Sequence, residues 1–147
     1  MMESTKLWVV TKYAVSDLDG IRRRVNHSVR VGDVMAAHMI EQDGVTPAMV
    51  AAGYLHDIVE DHAVTMGDIH REFGNDIAEL VDLLTRPDGM DYTDYIDRIG
   101  DNECATRIKL VDLFDNLLFV DQYKSSLRKR YIDAIDTLTG YLDPFDI

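Results

Sequence analysis

A chain of 147 residues, 46% hydrophobic and 29% charged, is long enough to bury one core and has the make-up of a globular domain. Its net charge of −12 excludes a broad nucleic-acid-binding face, which needs a basic stripe, and repels anionic ligands at long range. An enzyme of this charge that acts on phosphates must therefore bring a metal ion or a local cationic patch to its site. No apolar run approaches the roughly 20 residues that span a bilayer. The first ten residues lack the basic-then-apolar pattern of a secretory signal, so a cytoplasmic protein without membrane partners is expected. Cys104 is the single cysteine; an intrachain disulfide is excluded, and the residue reads as a small buried or half-buried filler.

Residues 4 to 15 read as a first helix with Leu7, Trp8, Val10 and Val15 as its apolar positions, broken by Ser16 to Gly20. The dense basic run Arg22-Arg23-Arg24, with Arg30 shortly after, is either a phosphate-binding patch or a solvated helix start. From Asn26 the positions Val29, Val31, Val34, Met35, His38 and Met39 keep a 3.6-residue period to about Glu41, with His27 in the first turn. Gln42-Asp43-Gly44 ends this helix, since glycine tolerates the positive φ of a helix terminus. Thr46-Pro47 starts a third, with threonine as N-cap and proline at the first helical position. Its small residues Ala51, Ala52 and Gly53 predict close approach by a neighbouring helix.

The third helix is expected to carry His56-Asp57-Ile58-Val59-Glu60-Asp61 directly after an apolar run. In a continuous helix, His56 and Glu60 share one face and Asp57 and Asp61 the adjacent one. So dense a group of ionisable side chains needs a partner, and a divalent cation would satisfy it. Thr65-Met66-Gly67-Asp68 resembles a capping box and opens a short helix to Gly74. Another follows from Asn75 or Asp76, with Ile77, Leu80, Val81 and Leu84 on one side, ending at Arg86-Pro87-Asp88-Gly89.

Tyr92, Tyr95, Ile96 and Ile99 form one helical stripe, and the tyrosines read as core rather than as nucleotide-stacking groups. The run from Glu103 to about Gln122 is apolar over much of its circumference, which predicts a central, buried helix. Within it Asp112 and Asn116 share one face, a turn apart. A last helix, about 126 to 140, carries Leu127, Tyr131, Ile135 and Leu138. With no period-2 segment and no linker, residues 1–147 are read as a single all-α helical bundle.

The order His27, then His56-Asp57, then Asp112 resembles the H…HD…D signature of the HD superfamily of metal-dependent phosphohydrolases. The segments Leu55 to Asp61, Val64 to Ile69, Phe73-Gly74, Ile77 to Val81 and Ile108 to Asn116 are similar to the hydrolase domain of RelA/SpoT-type alarmone hydrolases, including the small stand-alone kind. The resemblance covers about residues 26 to 122. An HD pair alone is weak; HDxxED with an upstream histidine and a downstream aspartate in order is specific.

The resemblance implies an HD-type fold with His27, His56, Asp57 and Asp112 as ligands of a divalent metal. Two imidazoles and two carboxylates suit a first-row divalent ion, and the resemblance implies manganese more than zinc, with magnesium, cobalt and iron as further alternatives. Glu60 and Asp61 are placed to orient or deprotonate a bound water. The implied reaction is removal of the 3′-pyrophosphate from a guanosine polyphosphate of the (p)ppGpp type. Asn116, Lys109, Arg23, Arg24 and Arg30 are the candidate substrate contacts.

Each assignment has a duller competitor. These are a capping or core role for His27, an ion pair with Lys109 for Asp112, and solvated helix-end acids for Glu60 and Asp61. His38, His62 and His70 match no ligand position and are expected to be structural. The chain also departs from the alarmone pattern. It lacks the alanine-histidine and proline-tyrosine elements upstream of His27. Leu113 and Asp115 stand where the family has arginine and histidine, and Leu118 and Phe119 where it has polar residues near the nucleotide. Two alternatives therefore stand beside the alarmone reading. One is an HD-type nucleotidase or nucleotide pyrophosphohydrolase of other base specificity; the other is a non-catalytic nucleotide-binding regulatory module. The sequence leaves homo-oligomerisation open.

Overall fold

The computed structural model describes residues 2–16, 18–41, 44–121 and 123–142. These contain eight α-helices and no strand, as the all-α reading expects: α1 (Met2–Ala14), α2 (Ile21–Ile40), α3 (Pro47–Leu55), α4 (Met66–Phe73), α5 (Asn75–Leu84), α6 (Tyr92–Gly100), α7 (Glu103–Phe119) and α8 (Ser125–Tyr141). The chain divides into two compact units, Met1–Thr85 and Arg86–Ile147. Among the described residues no helix is long and apolar enough to cross a membrane.

In the first unit α2 and α3 make the most extensive helix pair, and α1 packs against both. The close approach expected at Ala51-Ala52-Gly53 is present. A Cβ on Gly53 would lie 3.2 Å from Met35 Cγ, and one on Gly32 only 2.0 Å from the Tyr54 ring. Gly32 thus provides the space into which Tyr54 packs. The caps form as their residues dictate. Thr46 Oγ1 accepts from Met49 N at 3.3 Å. Thr65 and Asp68 cap each other reciprocally, Asp68 N to Thr65 Oγ1 at 3.2 Å and Thr65 N to Asp68 Oδ2 at 2.9 Å.

Three expectations for this unit are corrected. The buried stripe of α1 is Thr5, Val9 and Tyr13, whereas Leu7 and Val15 are 66% and 78% exposed. Only Trp8 of the expected set makes a tertiary ring contact, edge-on to Phe73 at 5.0 Å. Hydrophobicity alone cannot choose between overlapping stripes on so short a helix; the neighbours do.

Helix α2 begins at Ile21 rather than Asn26, so Arg22 to Arg24 lie in its first turn and His27 in its second. Arginine is a good helix former, and a charged first turn carries no apolar periodicity to mark it. Part of the expected stop, Gln42 and Asp43, lies outside the described residues, as does Asp17 of the earlier break. Gly44 has the expected positive φ of 78°.

Helix α3 ends at Leu55, and residues 56–62 continue as turns. His62 N bonds Val59 O at 2.9 Å and Ala63 N bonds Ile58 O at 3.1 Å, with His62 at φ 61°. This is a Schellman closure with histidine in the left-handed position usually held by glycine. The acidic cluster is therefore arranged by a closing turn and not by the face of a continuous helix.

In the second unit α6, α7 and α8 pack pairwise. Tyr95, Ile96 and Ile99 of α6, Ala105, Ile108 and Leu113 of α7, and Ala134 and Leu138 of α8 are all buried. Asn102 caps α7 by accepting from Ala105 N at 2.9 Å. The expectation that α7 is buried along its length holds only to Leu113, its last buried residue. Beyond it Phe114, Leu118 and Phe119 are exposed, and Gln122 lies outside the described residues. Apolar composition measures what a helix can bury, not what its neighbours cover.

Candidate metal centre

Within the first unit, the second turn of α2 supplies His27, and the end of α3 supplies His56 and Asp57. His27 Nε2 lies 3.1 Å from His56 Nε2, and Asp57 Oδ2 lies 3.5 Å from the first and 3.2 Å from the second. The two rings meet nearly edge to face, with centroids 5.0 Å apart. His56 Nδ1 faces the Gly53 carbonyl at 2.7 Å. A carbonyl only accepts, so the ring proton sits on Nδ1 and the Nε2 lone pair is turned toward His27 and Asp57.

Such a donor set fits a metal. Ligands bound to one first-row ion at bonds of about 2.1 Å stand about 3 to 3.5 Å from one another. The three separations here fall in that interval. One proton between two ring nitrogens satisfies one of these contacts; a cation satisfies all three.

One turn on, Asp61 is held from two other helices. The Tyr13 hydroxyl donates to Asp61 Oδ2 at 2.6 Å, and the Arg24 guanidinium pairs with Asp61 Oδ1. Burial pushes the Asp61 carboxyl above its ordinary range, the Tyr13 hydrogen bond pulls it back, and nearby Asp57 adds to the rise. Tyr13 is driven far above a free phenol, first by burial and then by its bond to Asp61, so it is always a donor. Glu60 is exposed on the same turn.

In the second unit Asp112 is buried in mid-α7. Lys109 Nζ binds its Oδ2 at 2.6 Å, and Asn116 Nδ2 donates to Oδ1 at 3.0 Å. Burial works against the Lys109 charge, but Asp112 outweighs it, and the ammonium is held well above its ordinary range. Lys109 also sits 5.3 Å over the Tyr95 ring. Two of the candidate substrate contacts, Lys109 and Asn116, thus engage Asp112, and a third, Arg24, engages Asp61.

Of the remaining candidates, Arg23 is exposed and Arg30 half-buried. Tyr95 is buried, as a core tyrosine should be, while half-buried Tyr92 carries Arg130 over its ring at 3.6 Å. His62 has the structural task of the turn closure, and His70 Nδ1 meets Asn75 Oδ1 at 3.1 Å. Tyr13 escapes a reading by spacing, because its contact with Asp61 spans 48 residues.

A family pattern described as HD domain matches residues 11–109. The guanosine-3′,5′-bis(diphosphate) 3′-pyrophosphohydrolase MESH1 of Drosophila melanogaster is 30% identical over 99 residues, 63% of this chain and 53% of that protein. A probable guanosine-3′,5′-bis(diphosphate) 3′-pyrophosphohydrolase of Synechocystis sp. is 35% identical over 65 residues, 44% of this chain and 9% of that protein. The chain thus spans about half the length of the first relative and under a tenth of the second. A solved structure of a metazoan SpoT ortholog, described as hydrolysing ppGpp and playing a role in starvation responses, superposes with a TM-score of 0.69 at 21% identity. That match covers 97% of this chain and 85% of the other, and it shows a shared fold. Since the family pattern runs through well over half of the sequence, from α1 into α7, this chain belongs to the HD domain family.

Proposed function

We propose that the chain is a metal-dependent phosphohydrolase that removes the 3′-pyrophosphate from a guanosine polyphosphate of the (p)ppGpp type. The convergence of His27 Nε2, His56 Nε2 and Asp57 Oδ2 within 3.5 Å carries this reading. The activity named for the relatives supports the substrate class. In the proposal His27, His56, Asp57 and Asp112 hold a divalent ion, manganese in first place. When bound, the ion supplies Lewis-acid polarisation of a phosphate oxygen and lowers the pKa of water.

The chain's own residues do the rest. His56 keeps its ligating nitrogen deprotonated because Nδ1–H is committed to Gly53 O. Lys109 and Asn116 orient Asp112. Glu60 and Asp61 hold the water and take its proton, and Arg23 and Arg30 are the proposed phosphate contacts. A substrate of this kind fits a cytoplasmic enzyme.

A second reading, an HD-type nucleotidase of other base specificity, is favoured by Leu118 and Phe119, which are exposed where the alarmone pattern is polar. A non-catalytic sensor is disfavoured by the retained Glu60 and Asp61. The test is release of pyrophosphate and phosphate from a panel of nucleotides with added manganese. Manganese-dependent pyrophosphate release from ppGpp is expected. Turnover of other nucleotides alone moves the assignment to the second reading, and full activity after chelation ends the proposal.

A further inference from the structure

The surroundings of Asp61 are more elaborate than a solvated acid requires. It lies within a closing turn, where the exposed carbonyls of the helix end disfavour negative charge. It is half-buried, which adds a desolvation cost. Water at an exposed position would satisfy it more simply. Instead each carboxylate oxygen has a donor from a different helix, Tyr13 of α1 on Oδ2 and Arg24 of α2 on Oδ1.

The donors are themselves held. Tyr13 is fully buried, which fixes its ring. Arg24 Nε donates to the Asp19 carbonyl at 2.9 Å, which fixes the plane of the guanidinium. A carboxylate bound on both oxygens from two rigid elements has lost its rotation about the Cβ–Cγ bond. Its remaining lone pairs then point one way.

We propose that Tyr13 and Arg24 are positioning residues for the reaction: they clamp Asp61 so that its remaining lone pairs keep a fixed direction toward the attacking water. The inference rests on the hydrolase reading above. In this role both residues act through Asp61.

A misplacement of about 1 Å in a catalytic group costs up to roughly 100-fold in rate, so losing one of two donors should cost about tenfold. Tyr13→Phe keeps the buried ring and removes only the hydroxyl. It is expected to lower kcat about tenfold with KM and manganese affinity, read by calorimetry, nearly unchanged. Arg24→Gln should do at least as much, with partial recovery in Arg24→Lys; as a half-exposed position it serves where Tyr13→Phe fails to fold.

The deciding measurement is a double-mutant cycle with Asp61→Asn, because only a cycle apportions a network. If Tyr13 works through Asp61, adding Tyr13→Phe to Asp61→Asn lowers kcat less than about twofold. An equal drop in both backgrounds, or a wild-type kcat in Tyr13→Phe, overturns the clamp while leaving the hydrolase reading intact. No turnover of any nucleotide by the wild type overturns the hydrolase reading and the catalytic part of the clamp with it. The 13C resonance of the Asp61 carboxyl then judges what is left: it should shift in Tyr13→Phe, and an unmoved signal removes the clamp as well.

Discussion

The turn after α3 and the middle of α7 both place acid side chains out of full solvent, and they solve the problem in opposite ways. In α7 the buried Asp112 has a lysine at 2.6 Å and an amide at 3.0 Å, both from its own helix. At the end of α3, two imidazole nitrogens and a carboxylate oxygen face one another at 3.1 to 3.5 Å. The first arrangement is neutralised by the chain. The second is three donors aimed at one point, a geometry that serves a bound cation and gives little to the fold. In the proposal Asp112 is thus a ligand already oriented by its own helix, whereas the other three ligands gain their full set of partners from the ion.

That contrast can be broken most directly at Asp57. Asp57→Ala should lower kcat by about a thousandfold, the loss of several kcal/mol of metal-assisted stabilisation. It should change the stability of the metal-free protein by about 1 kcal/mol or less, since the side chain is partly solvated. Manganese at about a hundred times its Kd should stabilise the wild type by about 2.7 kcal/mol and leave Asp57→Ala unmoved. Urea unfolding with and without metal measures both, and a large loss of stability in the metal-free variant would erase the distinction.

The opposite pattern is expected at Lys109. Lys109→Met leaves the buried Asp112 without its ammonium, and breaking such a pair costs about 3 to 5 kcal/mol. The loss should appear in the urea midpoint of the metal-free protein, where Asp57→Ala shows almost none. Equal midpoints for the two variants would mean that the two regions do not differ.

The smallest effect sharpens the scale from the other side. Asp68 is a half-exposed acid that caps α4 and also pairs with Arg71, and bonding first to the Thr65 backbone holds its carboxyl below the ordinary range. A depressed folded value means that the stabilisation is present above the unfolded value, about 3.9, and is lost as the pH falls through the folded one. Asp68→Ala should therefore lose a little stability at neutral pH and none at pH 2, read by thermal melts at both pH values. A deficit that persists at pH 2 would assign the effect to helix propensity instead.

Much of the architecture is local and so could be read along the chain. Thr46-Pro47 and Thr65 with Asp68 announce helix starts because the donors they satisfy are two or three residues away. The stripes of α5 and α6 are short and leave one choice of face. The first turn of α2 escaped because three arginines give no apolar period, and the end of α3 because nothing in the run from His56 to Asp61 marks a histidine as the left-handed residue of the closure. Gly32 was hidden for a different reason. Its meaning lies in the Tyr54 ring that packs where a Cβ would be.

The order of His27, His56-Asp57 and Asp112, the helical class and the capping chemistry were determined by sequence alone, since each depends on residue type and short spacing. Tertiary structure decided which stripe of α1 is buried, that His56 turns its Nε2 toward His27, and that Tyr13 and Arg24 close on Asp61. Those outcomes join residues 29 to 48 positions apart, and pairings at that range are set by how helices pack. The competing partners are alike in chemistry and differ only in where the backbone carries them.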